Sequence, residues 1–202
     1  MSSDNAEILV VYYSRTGNVA QLARQVCRGV ETVAGVSARL RSVPAVSAEN
    51  ERPQQAVPEQ GAPWATMEDL AACDGLILGS PTRYGNMAAP LKYFIDQTGA
   101  LWAQGKLADK PAAAFTSTQS MHGGQESTLL SMMLPLLHHG MLYVGLPYTL
   151  PELSSTRSGG TPYGASHVVA AVPAGEISDE EAVLARALGQ RVARLALQLK
   201  RR

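Results

Sequence analysis

The chain opens on an unbroken apolar run, Ile8-Leu9-Val10-Val11-Tyr12-Tyr13. A run without polar alternation reads as a strand covered on both faces, as in a parallel sheet. It stops at Ser14-Arg15-Thr16-Gly17-Asn18, after which Val19, Leu22, Ala23, Val26, Val30 and Val33 recur at helical spacing. Gly35 supplies a C-terminal stop, and Val36 to Arg41 is expected as a second, edge strand. Pro44 to Pro63 holds four prolines and no periodicity, which predicts a long surface loop. Thr66-Met67-Glu68-Asp69 has the spacing of a capping box and predicts a short helix.

Gly75 to Gly79 is a third buried strand, ending at Ser80-Pro81-Thr82-Arg83-Tyr84-Gly85-Asn86. Pro90 opens a helix expected over Leu91 to Gln97. Pro111 to Phe115 is a fourth strand, poor in β-branched residues, ending at Thr116 to Gly124. A helix is expected from Gln125 to His139, kinked at Pro135, then a fifth strand from Met141 to Leu146. Pro147 to Ser166 is a second long loop, and His167 to Val172 reads as that strand's continuation. Ser178-Asp179-Glu180-Glu181 caps a final helix with Val183, Leu184, Ala187, Val192, Leu195 and Leu199 on its apolar face.

Buried strands alternating with amphipathic helices give an α/β fold: a doubly wound parallel sheet with helices on both faces. Five strands in this length fit the flavodoxin-like three-layer fold, order 2-1-3-4-5. The expectation is one domain over residues 1–202, with inserted loops near 44–64, 81–110 and 147–166. Ligands on such a sheet bind outside the carboxyl ends of strands 1 and 3, where the strand order reverses.

Three expected loops converge there: Ser14 to Asn18, Pro81 to Asn86, and Ser117 to Gly124. All combine small residues, hydroxyls and amides, and none is dominated by hydrophobes. The first opens into a helix, so its backbone N–H groups with Ser14 and Thr16 suit a phosphate at the positive helix end. Arg15 either adds charge there or points to solvent. A phosphate site beside two further polar loops suits a nucleotide-like ligand with a flat ring. Backbone groups at such a ring's polar edge tune its electronics.

Other chemistries lack their residues. There is no GxGxxG, GxSxG or HExxH. The stretch from Gly99 to Lys106 is one residue too long for a phosphate-binding P-loop, and Leu107 stands where that motif needs Ser or Thr. His138 and His139 are adjacent, so on a helix they diverge by about 100° and do not chelate one metal; no metal site is expected. They read either as a helix-end pair facing the dipole, or as one imidazole reaching the active-site cavity. Trp102 is either core or interface, or a wall of a substrate pocket.

Charge changes the picture by what it removes. Seventeen basic and seventeen acidic side chains balance, so no nucleic-acid partner is expected. The Lys200-Arg201-Arg202 cluster reads as cations at a helix end. Cys27 and Cys73 form no CxxC and read as small buried hydrophobes of a protein in a reducing compartment. Met1 to Glu7 is not a secretory signal, and no apolar run approaches the ~20 residues that span a bilayer, so a cytoplasmic protein without membrane insertion is expected.

Six segments carry a family resemblance. They are Val-Val-Tyr-Tyr-Ser-Arg-Thr-Gly-Asn (10–18), Gly-Ser-Pro-Thr-Arg-Tyr-Gly-Asn-Met (79–87), Asp-Gln-Thr-Gly-Ala-Leu-Trp (96–102), Gly-Gly-Gln-Glu (123–126), His-His-Gly-Met (138–141) and Gly-Gly-Thr-Pro-Tyr-Gly-Ala (159–165). With them the chain resembles the WrbA-type NAD(P)H:quinone oxidoreductases, relatives of flavodoxin, over essentially its whole length. The resemblance implies bound FMN, with its phosphate on Ser14, Arg15, Thr16, Gly17, Asn18 and Val19. It implies a flavin ring against Pro81, Thr82, Arg83, Tyr84, Gly85 and Asn86, and against Ser117, Thr118, Gln119, Ser120, Met121 and His122. His138 is implied at the FMN site, as the candidate proton donor, and Trp102 at the substrate pocket. NADH or NADPH is the implied co-substrate and a quinone the electron acceptor, in a homotetramer whose sites neighbouring subunits border. The expected activity is two-electron, ping-pong transfer. The alternative is a flavodoxin-type one-electron carrier, which the balanced charge disfavours because such carriers dock through strong acidity.

Overall fold

The computed structural model describes residues 5–46 and 61–200. Most of the proline-rich loop (47–60), Met1 to Asp4, and Arg201 and Arg202 of the basic cluster lie outside the described residues.

The chain runs β1 (Ala6–Tyr12), α1 (Asn18–Val30), β2 (Val36–Ser42), α2 (Met67–Ala72), β3 (Gly75–Arg83), β4 (Asn86–Met87), α3 (Ala89–Asp96), α4 (Gly99–Ala103), β5 (Pro111–Thr118), α5 (Gln125–His138), β6 (Leu142–Tyr143), α6 (Glu152–Ser155), β7 (Ala165–Val168) and α7 (Asp179–Lys200), with a 3₁₀ turn at Val169–Ala171. The main sheet path is β2-β1-β3-β5-β6, and all its pairings are parallel. These are the five expected positions of a flavodoxin-like sheet. The numbering shifts because β4 is a small antiparallel partner of β3.

The fifth position is shared. β6 pairs with Pro111 and Ala112 at the start of β5, and β7 pairs with Phe115 to Thr118 at its end. Between them residues 144–164 leave the sheet and return, carrying α6. The strand and its continuation are therefore one lane, as the apolar pattern at Met141 and again at His167 indicates.

The unbroken run in β1 is explained by two cores. Ile8, Val10 and Tyr12 pack with Leu22 and Val26 of α1 and with Leu184, Leu188 and Val192 of α7. Leu9 and Val11 pack on the opposite face with Leu70, Leu91, Phe94, Leu129 and Met132 of α2, α3 and α5. Strand side chains alternate between faces, so where helices cover both sides, from Ile8 on, β1 is apolar at every position; Glu7 stands at its open start. Cys27 and Cys73 are buried, and burial pushes their thiols up to about 12 and about 11, leaving them unreactive. Among the described residues no helix is long and apolar enough to cross a membrane.

Strands β3 and β5 run further than their apolar segments, to Arg83 and Thr118. Their polar ends are still in register: Ser80 opposite Thr116, Pro81 opposite Ser117, and Thr118 opposite Val168. Pairing with β4, β5 or β7 holds these residues in the sheet, which hydropathy does not register. Pro135 lies inside α5 without ending it.

Candidate functional site

Buried hydroxyls fasten the roots of the second and third loops. Thr116 Oγ1 donates to the Ser80 carbonyl at 2.8 Å, and the Ala88 amide donates to Ser80 Oγ at 2.8 Å. The second loop is a hairpin. Arg83 pairs with Asn86, and the intervening Tyr84 (φ 53°) and Gly85 (φ 76°) both take the left-handed backbone that a two-residue hairpin of matching twist needs. Asn-Gly or Asp-Gly is the usual sequence there, so Tyr84-Gly85 gave no hairpin signal. A tyrosine at positive φ is strained. It is also fully exposed.

The three loops meet in one crevice of about 370 Å³. Ser14, Arg15, Thr16, Asn18 and Val19 line it from the first loop; Pro81, Thr82 and Arg83 from the second; Ser117, Thr118 and Gln119 from the third. Among the described residues the lining holds two arginines and no acid. Gly17, Tyr84, Gly85, Asn86, Ser120, Met121 and His122 belong to the same loops without lining it. Gly17 is the left-handed N-cap of α1 (φ 90°), and Ser120 to His122 form an exposed turn.

Val169 completes the wall and escaped sequence reasoning. Its position one residue past the resumed fifth strand is the signal that locates it. The Ala170 amide donates to the Gln119 carbonyl at 3.1 Å, tying this wall to the third loop.

The polar atoms of the first loop face an unmet need. The N-cap residue of α1, Gly17, has no side chain to cap it. Among the described residues the amides of Asn18 and Val19 find no acceptor. Ser14 Oγ accepts from the Gly17 amide (3.2 Å) and, weakly, from Ala20 (3.4 Å), so its own hydrogen is free to donate outward. Unmet N–H groups at the positive end of a 13-residue helix bind an anion.

His138 and Trp102 stand elsewhere. They share a second, more open depression of about 440 Å³ with Lys92, Asp96, Thr98 and His139, and it has no lining residue in common with the crevice. The reason is topological. α5 starts just after the third loop and runs back along the sheet, 14 residues or roughly 21 Å. Its far end leads into Leu142, which pairs with the first residue of β5. Within one chain, then, the expected placement of His138 beside the phosphate and ring loops does not hold. Sequence proximity to site motifs could not reveal which end of the sheet a helix terminus occupies.

The fold and this crevice define a flavodoxin-like protein with a polar cleft, lined by Arg15 and Arg83, at the switch point of its sheet. Residues 9–151 match the family model described as NADPH-dependent FMN reductase. The chain belongs to that family, and so to the flavin-linked oxidoreductases. It is 43% identical over 199 residues to a protein of Chromohalobacter salexigens named NAD(P)H dehydrogenase (quinone), covering 96% of this chain and 98% of that one. Its structure is similar to a flavodoxin, WrbA-like protein from Agrobacterium tumefaciens, with TM-score 0.67 and 25% identity, covering 96% and 99% of the two chains. An apo NADH:FMN oxidoreductase shares the fold, with TM-score 0.62 at 17% identity over 94% of this chain and 89% of that one.

Proposed function

We propose that the chain binds FMN in the three-loop crevice and passes two electrons from NADH or NADPH to a quinone. The observation that carries this reading is the lining: among the described residues it has two arginines, no acid, and unmet helix amides at the sheet's switch point. These groups suit a phosphate monoester. Asn18 and Val19 offer N–H donors, Ser14 its free hydroxyl hydrogen, and Arg15 charge. Arg83, Thr82 and the Ser117 to Gln119 backbone then border the ring. Val169 and Pro81 supply apolar surface. Tyr84, pushed outward by its hairpin, is placed to cover the ring from the solvent side.

When bound, FMN supplies the electron transfer; the protein orients it and sets its hydrogen bonds. Reductant and quinone use the crevice in turn, which gives ping-pong order. His138, the candidate proton donor, and Trp102 reach a crevice only from a neighbouring copy. In this reading the active form is a homotetramer, in which neighbouring copies bring these side chains to each crevice. The large apolar side chains exposed on α3, α4 and α5 (Tyr93, Trp102, Leu134 and Leu137) support such contacts.

Thr16→Glu tests the phosphate site. Thr16 is exposed, and an acid beside a helix N-terminus favours folding. The same acid repels a phosphate. The protein is expected to bind one FMN per chain, and the variant to bind it at least about tenfold more weakly, the scale of one charge-assisted contact. Wild-type protein that takes up no FMN, or a variant that binds it equally well, overturns the reading.

A further inference from the structure

Two hydrogen bonds tie α4 to the end of α5. Trp102 Nε1–H donates to the His138 carbonyl at 2.8 Å. Thr98 Oγ1 lies 2.8 Å from His139 Nε2. Thr98 and Trp102 are one helical turn apart, joined by the Trp102 amide donating to the Thr98 carbonyl at 3.0 Å. Their partners are consecutive residues. One turn of α4 thus grips one peptide of α5 at two points.

The direction of the second bond follows from counting hydrogens. The Thr98 hydroxyl has one, and the Ile95 carbonyl accepts it at 2.7 Å. His139 Nε2–H is then the donor to Thr98, and Nδ1 carries only a lone pair. Nδ1 is buried with no hydrogen-bond partner. The opposite tautomer would bury an unpartnered N–H, the costlier orphan. The ring borders both the open depression and a void of about 10 Å³ among Leu70, Leu76, Phe94 and Leu107. Burial first, then the neighbouring His138, hold its pKa below the ordinary histidine value. The other charged groups at this depression, Lys92 and Asp96, are paired with each other at 2.6 Å. His139 therefore stays neutral, with its single N–H committed to Thr98.

We propose that Thr98 and His139 are positioning residues whose hydrogen bond holds Trp102 and His138 as one fixed unit on the substrate-facing depression. This rests on the reading that the depression borders the crevice of a neighbouring copy. With the bond in place, the indole cannot turn about its remaining link to the His138 carbonyl. The indole thus keeps one orientation against the backbone from which the His138 side chain projects. Within its own chain Trp102 is more than half exposed (57%), so packing inside that chain does not fix it.

Thr98→Val removes the hydroxyl and keeps the shape; Thr98→Ser keeps the hydroxyl. Both are made in a Trp64→Phe background, which leaves Trp102 as the single tryptophan. Acrylamide quenching of Trp102 is expected to rise in Thr98→Val and return to the parent value in Thr98→Ser. The KM for benzoquinone is expected to rise about fivefold in Thr98→Val and to recover in Thr98→Ser, the scale of one neutral hydrogen bond. Parent-like quenching or an unchanged KM in Thr98→Val overturns the proposal. So does a Thr98→Ser protein that behaves as Thr98→Val does. Should Thr98→Val fail to fold, His139→Phe removes the same bond from the other side and is read in the same way. The quenching arm needs no flavin, so it decides the clamp even if the wild-type protein reduces no quinone, a result that sinks the functional reading instead.

Discussion

Glu181 Oε2 lies 2.8 Å from His167 Nδ1, and both side chains are sealed from solvent. The same carboxylate accepts the amides of Gly159 (2.8 Å), Val168 (2.9 Å) and Ser178 (3.0 Å). Ser178 Oγ accepts the Glu181 amide in return, at 3.1 Å, completing the capping box of α7. One buried anion therefore joins the start of α7, the end of the 144–164 insertion, and β7 just before the crevice wall at Val169.

Burial opposes the charge on Glu181, but His167 and the Val168 and Ser178 amides outweigh it and hold the carboxyl below its ordinary pKa. A depressed folded pKa contributes stability that is present above the unfolded value, near 4.5, and lost as pH falls below it. Glu181→Gln is expected to cost about 1–3 kcal/mol in urea unfolding at pH 7, because an amide replaces an acceptor oxygen and leaves a buried donor unsatisfied. It is also expected to flatten the wild-type loss of stability on acidification. A variant as acid-sensitive as wild type would remove Glu181 from that role.

Gly189 and Gly29 let α1 and α7 approach each other closely. A Cβ at Gly189 would lie 2.1 Å from the Val26 carbonyl oxygen, and one at Gly29 would lie 1.9 Å from that of Arg186. Gly→Ala inside a helix normally gains up to about 1 kcal/mol. Here the sign reverses, since backbone cannot yield as a side-chain tip can. Gly189→Ala is expected to destabilise by about 1–3 kcal/mol, measured by chemical denaturation.

Tyr84 bears the opposite kind of strain. Tyr84→Asn gives the hairpin its preferred Asn-Gly turn and is expected to stabilise by about 1 kcal/mol, seen as a higher Tm. If Tyr84 covers the flavin, the same variant binds FMN or quinone less well. A gain in Tm with unchanged binding and turnover would show that the tyrosine has no part in the site.

The sequence was most readable where burial acts on both faces. β1, β3 and β5 announce themselves as polar-free runs, and the capping boxes at Thr66 and Ser178 mark α2 and α7 to the residue. The three converging loops followed from the sheet order alone. What stayed hidden depends on distant partners. The hairpin at Tyr84-Gly85 breaks turn preference, Val169 joins the crevice only through the interrupted fifth lane, and the far end of α5 carries His138 away from it. The Thr98–His139 bond joins residues 41 positions apart, with no local pattern to betray it.

The most direct test of the central claim is an anaerobic absorbance trace of the FMN-loaded protein, mixed first with NADPH or NADH and then with benzoquinone. The flavin band is expected to bleach on the first addition and return in full on the second. A band that never bleaches with either nicotinamide, or that bleaches and does not recover with quinone, contradicts the account.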